Sequence, residues 1–147
     1  MKLTIARIDD LSIFRIGGKV GWESSRLLDR EVREAVETKT KYLVFDLDDI
    51  EFLSSGASGV LVYHLRKLQG GNGDIFVLTS NQYVMYLFRT IGFHRVFDGK
   101  IFGKYEDLAN KLQSQGIPFA APDASAWRTV DARNEEDDER SLREENP

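Results

Sequence analysis

The sequence contains no cysteine and only two histidines, His64 and His94, among its 147 residues. The lack of cysteine excludes disulfides, thiolate metal ligands and cysteine nucleophiles. A histidine-based metal cluster is not expected from two histidines, and neither one has a serine or cysteine context typical of a catalytic base. We therefore predict no metal, no cofactor and no enzymatic activity, and we interpret both histidines as ordinary surface or half-buried side chains.

Acidic side chains do occur close together, at Asp46, Asp48, Asp49 and Glu51. Their spacing does not match a calcium-binding loop, and the alternation of a strand followed by a solvated loop explains them better. The sequence thus predicts no metal site here either.

The sequence also lacks a run of about eighteen apolar residues, which a membrane-spanning helix needs. It has no basic, apolar N-terminal leader, so we expect a cytoplasmic protein with no membrane partner. The net charge is −4, and residues 131–147 contain eight acidic residues against three arginines. The rest of the chain is close to neutral, which predicts no nucleic-acid partner.

Apolar periodicity predicts a β-hairpin first, because Leu3 to Ile8 and Leu11 to Ile16 alternate around a turn at Asp9-Asp10. A helix follows from Trp22 to about Thr40, with Ser24 or Ser25 as its N-cap. We expect this helix to lie on the sheet.

The central segment reads as strand, helix and strand. Tyr42 to Leu47 is a continuous apolar run typical of a central strand, and a short acidic connection leads to a helix that opens at Ser54-Ser55-Gly56 and stops at Gly70 to Gly73. Asp74 to Thr79 is again strand-like. This succession predicts right-handed parallel crossovers in one sheet.

Two further helices follow these strands. The first is capped by Ser80 or Asn81 and closed by Gly92, and the second starts near Tyr105 and ends at Gly116. Residues 93–97 between them read as a short final strand or turn. The predicted fold class is α/β, with a mixed sheet that has an N-terminal antiparallel hairpin and is covered by about four helices.

The chain divides by composition near residue 116. Residues 1–116 carry the apolar periodicity of one folded domain. Residues 117–147 are rich in proline, alanine, serine and acidic side chains, which bury too little apolar area to offset chain entropy. We expect residues 117–147 to form a flexible acidic tail.

The serine-glycine turn that opens the second predicted helix is the candidate functional site. The first N–H groups of a helix lack internal partners and the helix dipole is positive there, so the position suits either a capping hydroxyl or a phosphate. The residues alone leave both readings open for Ser54 and Ser55. The residues also leave two roles open for Trp22, which could anchor an interface or cover the first helix as a lid.

Three segments together resemble the STAS domain of bacterial anti-sigma factor antagonists, over roughly Leu3 to Leu112. The strand from Tyr42 with Ile50 to Gly56 looks like the family's hydrophobic strand followed by F-x-D-S-[ST]-G. Gly70 to Leu78 looks like its glycine turn and next strand, and Leu87 to Phe97 like its L-x-x-x-G-[LF]-x-x-[VI]-F segment. The resemblance implies a STAS-like fold.

The resemblance also implies a function. A STAS protein of this type binds an anti-sigma factor that is a serine kinase, frees a sigma factor, and is returned to its binding form by a PP2C-type phosphatase. Ser54 would be the phosphorylated residue, with Ser55 as the runner-up for that role and as the structural cap, and Ser58 would share the exposed face. The implied partner-binding residues are Leu53, Ser54, Ser55, Gly56, Ala57 and Ser58.

The sequence departs from the family pattern at two positions. Leu53 stands where the family usually has aspartate, and Gly18-Lys-Val-Gly21 lacks the aspartate of a G-x-x-D pattern. These losses support an alternative hypothesis, an adaptor or scaffold STAS module that has lost the phospho-switch and docks constitutively.

Overall fold

The computed structural model describes residues 1–130 of the chain. Seven strands form one sheet around which the helices pack. The elements in chain order are β1 (Lys2–Ile8), β2 (Leu11–Val20), α1 (Trp22–Glu37), β3 (Tyr42–Asp46), β4 (Ile50–Leu53), α2 (Ser55–Gly70), β5 (Asp74–Leu78), α3 (Gln82–Ile91), α4 (Phe93–Val96), β6 (Ile101–Phe102), α5 (Tyr105–Ser114) and β7 (Trp127–Val130).

The sheet has the strand order β6-β5-β3-β2-β1-β7, and β4 pairs with the end of β2 outside this path. The hairpin pairs β1 with β2 antiparallel, whereas β2, β3, β5 and β6 run parallel. A parallel pair needs a crossover, which α1 and α2 supply. The carboxyl ends of β2 and β3 and the N-terminus of α2 therefore meet at one end of the sheet.

Two apolar cores lie on opposite faces of the sheet. The larger core joins α1, α2 and α3 to side chains such as Phe14 and Phe45, which are fully buried. The smaller one joins α5 and Phe119 to the alternate side chains of the same strands, such as Ile13. Because both faces of the sheet are covered at β3, its sequence is a nearly continuous apolar run from Tyr42 to Phe45.

The predicted mixed α/β fold with its N-terminal hairpin is confirmed. The hairpin has the predicted turn, although β2 continues through Gly17 and Gly18 to Val20. The predicted caps of α1 are wrong, because Gly21 is the N-cap and no side chain caps that helix. Ser25 is buried and its hydroxyl donates to the carbonyl of Trp22 at 2.6 Å.

Three short elements differ from the predictions. The acidic connection after β3 contains β4, which pairs in parallel with β2. Residues 93–96 form the short helix α4, and the strand that follows is β6. The sheet also extends beyond residue 116, because β7 pairs antiparallel with β1 from Leu3↔Val130 to Ala6↔Trp127.

The boundary placed at residue 116 therefore omits a strand of the sheet. Trp127 and Val130 are half-buried against the two cores, so this part of the predicted tail contributes apolar contacts. The acidic remainder of the predicted tail, residues 131–147, lies outside the described residues. Within residues 1–130, no helix combines the length and the apolar character that crossing a bilayer requires.

Candidate functional site

Ser54 lies between β4 and α2, at the end of the sheet where β2 and β3 finish. Its backbone N–H donates to the carbonyl of Val20 at 2.9 Å, which fixes it beside the end of β2. Its extended backbone (φ −70°, ψ 162°) makes it the N-cap of α2, and its Oγ accepts the N–H of Ala57 at 3.1 Å. One of the helix's unpaired N–H groups is thereby satisfied.

Ser55 and Ser58 are placed differently from the predictions. Ser55 is the first residue of α2 and is exposed, so the prediction that it is the structural cap is wrong. Ser58 is only 2% exposed, and its Oγ has no hydrogen-bond partner within residues 1–130. The expected shared exposed face thus includes Ser55 and the half-buried Ser54 but excludes Ser58.

Leu53, where the family pattern has aspartate, is part of the apolar core. Its side chain is 3% exposed and packs in the larger core, and its backbone N–H donates to the hydroxyl of Tyr83 on α3 at 3.2 Å. A carboxylate in this orientation would be desolvated, which is costly without a partner. The side chain of Leu53 therefore packs in the core and fixes the end of β4 next to Ser54. It does not point toward the surface where a partner would bind.

Gly56 and Ala57 are small residues, so the first turn of α2 allows close contacts with its neighbours. Ala57 is buried, and the ring of Trp22 lies against Gly56, where a Cβ would be 3.2 Å from Cε3 of the indole. Trp22 itself remains 72% exposed. It is thus in contact with the helix turn that Ser54 caps and is also available to a partner.

Phe52 belongs to the same surface and was not predicted from the sequence. It is 47% exposed on β4, two residues before Ser54. β4 buries Ile50 and Leu53 and leaves Glu51 and Phe52 between them exposed. Regular alternation would place Phe52 on the buried side with Ile50, so its outward position accompanies the register shift between β2 and β4 and does not follow from a strand pattern in the sequence. The large exposed apolar side chains of residues 1–130 all belong to β4 or to helices α1 to α4, and they are Trp22, Phe52, Tyr63, Tyr86, Ile91 and Val96.

Asn81 fixes the loop between β3 and β4, and it is indeed one of the two predicted caps of α3. Its Oδ1 accepts the N–H groups of Tyr83 and Val84, while its Nδ2 donates to the carbonyls of Asp48 and Ile50 at 2.9 and 2.8 Å. One side chain thus links the start of α3 to the strand that leads to Ser54.

Two of the acidic side chains near the site, Asp46 and Asp48, are held by different partners. Asp46 accepts from Arg15 at 3.3 Å and from Tyr105 at 3.1 Å, and Asp48 accepts the N–H of Ser80 at 2.6 Å. Within residues 1–130, no group of three or more acidic or histidine side chains is arranged to hold a metal ion. Asp46 and Asp48 therefore link the end of β3 to β2, to α5 and to the start of the loop after β5.

His64 is a buried histidine, which the sequence did not indicate. It is fully buried between α1 and α2, and its Nε2 donates to Oδ1 of Asp29 at 2.8 Å. Burial lowers its pKa from the ordinary value of 6.5, and the hydrogen bond to Asp29 opposes that shift only partly. His94 is half-buried, with Nδ1 3.4 Å from the carbonyl oxygen of Phe88.

Comparisons with known proteins find one domain family over most of the described residues. A family model described as the STAS domain matches residues 2–108. The "Putative anti-sigma factor antagonist BtrV" of Bordetella bronchiseptica is 26% identical over 97 residues, which cover 66% of this chain and 84% of that protein.

Solved structures show the same fold. SpoIIAA, an anti-sigma factor antagonist in its unphosphorylated form, superimposes with a TM-score of 0.65 at 13% identity, covering 80% of this chain and 99% of that one. The phosphorylated form of SpoIIAA, from Bacillus, has a TM-score of 0.62 at 12% identity over 75% of this chain and 98% of that one. An anti-sigma factor antagonist from Mycobacterium paratuberculosis has a TM-score of 0.66 at 19% identity, covering 77% and 93%.

Proposed function

Because this chain belongs to the STAS domain family, we propose that it is an anti-sigma factor antagonist that works by partner switching. It binds an anti-sigma factor that is itself a serine kinase and thereby frees a sigma factor. Phosphorylation of Ser54 by that kinase ends the binding, and a PP2C-type phosphatase restores it. The proposal assigns no catalytic activity to the chain.

The observation that carries the proposal is the position of Ser54. Its half-exposed hydroxyl caps a helix of 16 residues whose first turn contains no acidic side chain. A phosphate on this oxygen would meet the positive end of the helix dipole and unpaired N–H groups without a carboxylate beside it on the helix. The modified chain can therefore keep its fold.

The surroundings of Ser54 explain how a phosphate would end binding. Trp22 is in contact with the turn at Gly56, Phe52 lies two residues before Ser54, and both are exposed. Exposed aromatic side chains are typical anchors of protein interfaces. A phosphoserine adds a charge of about −1.5 to −2 at pH 7. Desolvating that charge in an apolar contact is unfavourable, so docking would weaken while the helix stays formed. A Bacillus protein of the same fold has been solved both with and without phosphorylation, which supports this assignment.

A second candidate function is a constitutive adaptor or scaffold. The observation in its favour is Leu53, which fills the core where the family pattern has an aspartate next to the phosphorylated hydroxyl. In this alternative the same surface docks a partner, and no kinase acts on it.

Phosphate mapping distinguishes the two candidates. The full chain, Ser54→Ala and Ser55→Ala are incubated with the cognate serine-kinase anti-sigma factor and ATP, and the modified peptides are identified by mass spectrometry. The switch predicts phosphate on Ser54 in the parent and in Ser55→Ala, and none in Ser54→Ala. Phosphate on Ser55 would identify Ser55 as the phosphorylated residue of the switch. No phosphate on either serine would favour the scaffold.

A pair of matched variants then tests the effect of charge. Ser54→Asp and Ser54→Asn have side chains of similar shape and both cap helices well, so they differ mainly in charge. We expect Ser54→Asp to bind the anti-sigma factor more weakly than Ser54→Asn, with identical circular dichroism. Equal affinity of the two variants would argue against the switch.

A further inference from the structure

Ser54 follows β4, a strand that has a strand neighbour on only one edge among residues 1–130. β4 pairs in parallel with β2, and the register of this pairing shifts between Gly18 and Lys19. A strand edge without a partner leaves backbone N–H and C=O groups that need hydrogen bonds elsewhere. The position of Ser54 therefore depends on what holds the outer edge of β4.

Two side chains from the start of α3 occupy this outer edge. The Nδ2 group of Asn81 donates to the carbonyls of Asp48 and Ile50, at 2.9 and 2.8 Å. The hydroxyl of Tyr83 accepts the N–H of Leu53 at 3.2 Å. Because Ile50 and Leu53 are the first and last residues of β4, the strand is held at both ends.

Asn81 can hold β4 because its own orientation is fixed. Its Oδ1 accepts the N–H groups of Tyr83 and Val84 as the N-cap of α3, so both donor and both acceptor positions of its amide are in use. Aspartate would cap the helix equally well, but it would donate nothing and would place a carboxylate against two carbonyl oxygens. The link to β4 thus requires the amide, whereas the cap does not.

Tyr83 is fixed by packing. Its ring is half-buried against the larger core, and its hydroxyl reaches the last residue of β4. Phenylalanine at this position would keep the packing and lose only the acceptor. Tyr86, on the same helix, is 68% exposed, and its side chain forms no hydrogen bond within residues 1–130. The helix therefore contains a chemically matched comparison for the hydroxyl of Tyr83.

The other supports of Ser54 come from β2 and α2. Its N–H donates to the carbonyl of Val20, and its Oγ accepts the N–H of Ala57. The contacts from α3 hold the remaining side of the strand that leads to it. A nucleophile must lie about 3 to 3.5 Å from the atom it attacks, and a displacement of about 1 Å is enough to slow a reaction. A loosened β4 would move the Ser54 hydroxyl relative to a bound nucleotide.

We propose that Asn81 and Tyr83 are positioning residues for phosphoryl transfer to Ser54, a role that rests on the proposed function. In this transfer the Oγ of Ser54 forms a bond to the γ-phosphorus of ATP, and the bond from that phosphorus to ADP breaks. The hydroxyl proton passes to a base of the kinase. Asn81 and Tyr83 touch none of the reacting atoms and act through β4, by holding the hydroxyl in one place.

The test measures phosphorylation of Ser54 in the full chain, in Tyr83→Phe and in Asn81→Asp, by the cognate serine-kinase anti-sigma factor with ATP. We expect kcat to fall about fivefold in Tyr83→Phe, as for one lost hydrogen bond, and about tenfold in Asn81→Asp, which loses two. The KM for the chain should change by less than about twofold, because the exposed surface is unaltered. Tyr86→Phe is the matched control and should behave like the parent.

Hydrogen exchange separates positioning from a general loss of stability. Tyr83→Phe should accelerate exchange of the Leu53 amide more than that of Val44 in the central strand β3, because only the bond at Leu53 is lost. Equal acceleration at both amides would mean a general loss of stability and would overturn the positioning role.

The kinetic outcomes distinguish this role from the proposed function. No phosphate on Ser54 in the parent would overturn the proposed function together with the positioning role. Phosphorylation of Tyr83→Phe and Asn81→Asp with the kcat of the parent would overturn the positioning role alone. A rise in KM with unchanged kcat would also overturn it, since that result assigns the two side chains to binding.

Discussion

The indole of Trp22 lies on the backbone of Gly56, in the first turn of the helix that Ser54 caps. The contact is close enough that a Cβ on Gly56 would meet Cε3 and Cζ3 of the ring at 3.2 and 3.4 Å. The start of α1 and the start of α2 are thus joined by an aromatic ring that remains largely exposed. This ring is the most prominent apolar feature beside Ser54.

Replacing Trp22 by alanine should weaken binding of the anti-sigma factor by about 2 kcal/mol, the loss typical of an aromatic hot spot. The fold should change little, because most of the ring is already in contact with solvent. Calorimetric titration measures the affinity, and urea unfolding measures the stability. Glu23→Ala, the exposed neighbour on α1, is the control, and an equal loss of affinity in both variants would contradict the anchoring role.

Adding a methyl group at Gly56 tests the contact between Trp22 and Gly56 by changing the helix instead of the ring. Gly56→Ala should displace the ring, since contacts of 3.2 Å from a Cβ are tighter than normal packing. The emission spectrum of Trp22 should shift, measured in a Trp127→Phe background so that Trp22 is the only tryptophan. Gly59→Ala is the matched control on α2, because a Cβ there meets nothing within 4 Å. An equal spectral shift in both variants would mean that the ring does not rest on Gly56.

The capping role of Ser54 predicts an unequal effect of two alanine substitutions. Ser54→Ala removes the acceptor of the Ala57 N–H and should lower the free energy of unfolding by about 1 kcal/mol. Ser55→Ala replaces an exposed first-turn residue and should change it by less than about 0.5 kcal/mol. Urea unfolding of both variants in parallel measures the difference. A larger loss of unfolding free energy in Ser55→Ala would show that Ser55, and not Ser54, is the N-cap.

The cap also shows where prediction from the sequence reaches its limit. Apolar periodicity placed the hairpin, the central strands and the long helices, because each buries a continuous face. It could not choose between Ser54 and Ser55, since both hydroxyls precede the same periodic residues. The choice depends on the parallel pairing that ties the N–H of Ser54 to Val20, a contact between distant parts of the chain.

The missed elements have similar physical causes. β4 has only four residues, and its bulge at Glu51 interrupts regular alternation. β7 follows a polar segment and pairs with β1, more than a hundred residues earlier in the chain, so no local pattern reveals it. The burial of Leu53 and His64 likewise follows from tertiary packing, whereas the serine-glycine turn itself was evident from the residues.

The strand β7 should depend on Trp127 more than on its neighbour Arg128. Trp127 covers the guanidinium of Arg15 and packs against the smaller core, whereas the ion pair of Arg128 with Glu31 is largely exposed on the arginine side. An ion pair whose arginine is largely exposed contributes about 0 to 1 kcal/mol, and a half-buried aromatic side chain that packs against the core contributes more. Trp127→Ala should therefore accelerate hydrogen exchange of the β1 amides that β7 covers, and Arg128→Ala should not. Unchanged exchange in Trp127→Ala would show that β7 does not protect the edge of β1.

Buried His64, hydrogen-bonded to the half-buried Asp29, predicts how stability depends on pH. The Nδ1 atom of His64 has no hydrogen-bond partner within residues 1–130, so protonation would bury a second N–H without an acceptor. Arg33 and Lys67 also disfavour the charged ring, and together with burial they keep the pKa of folded His64 below 6.5.

Below pH 6.5 the unfolded chain therefore binds a proton that the folded chain rejects. The free energy of unfolding should fall as the pH drops through 6.5, and the loss should continue down to the lowered pKa of the folded state. The slope from this residue cannot exceed about 1.4 kcal/mol per pH unit. Urea unfolding across this range measures it. His64→Gln should flatten the dependence, whereas His94→Gln should retain it, and an unchanged slope in His64→Gln would assign the pH dependence to other groups.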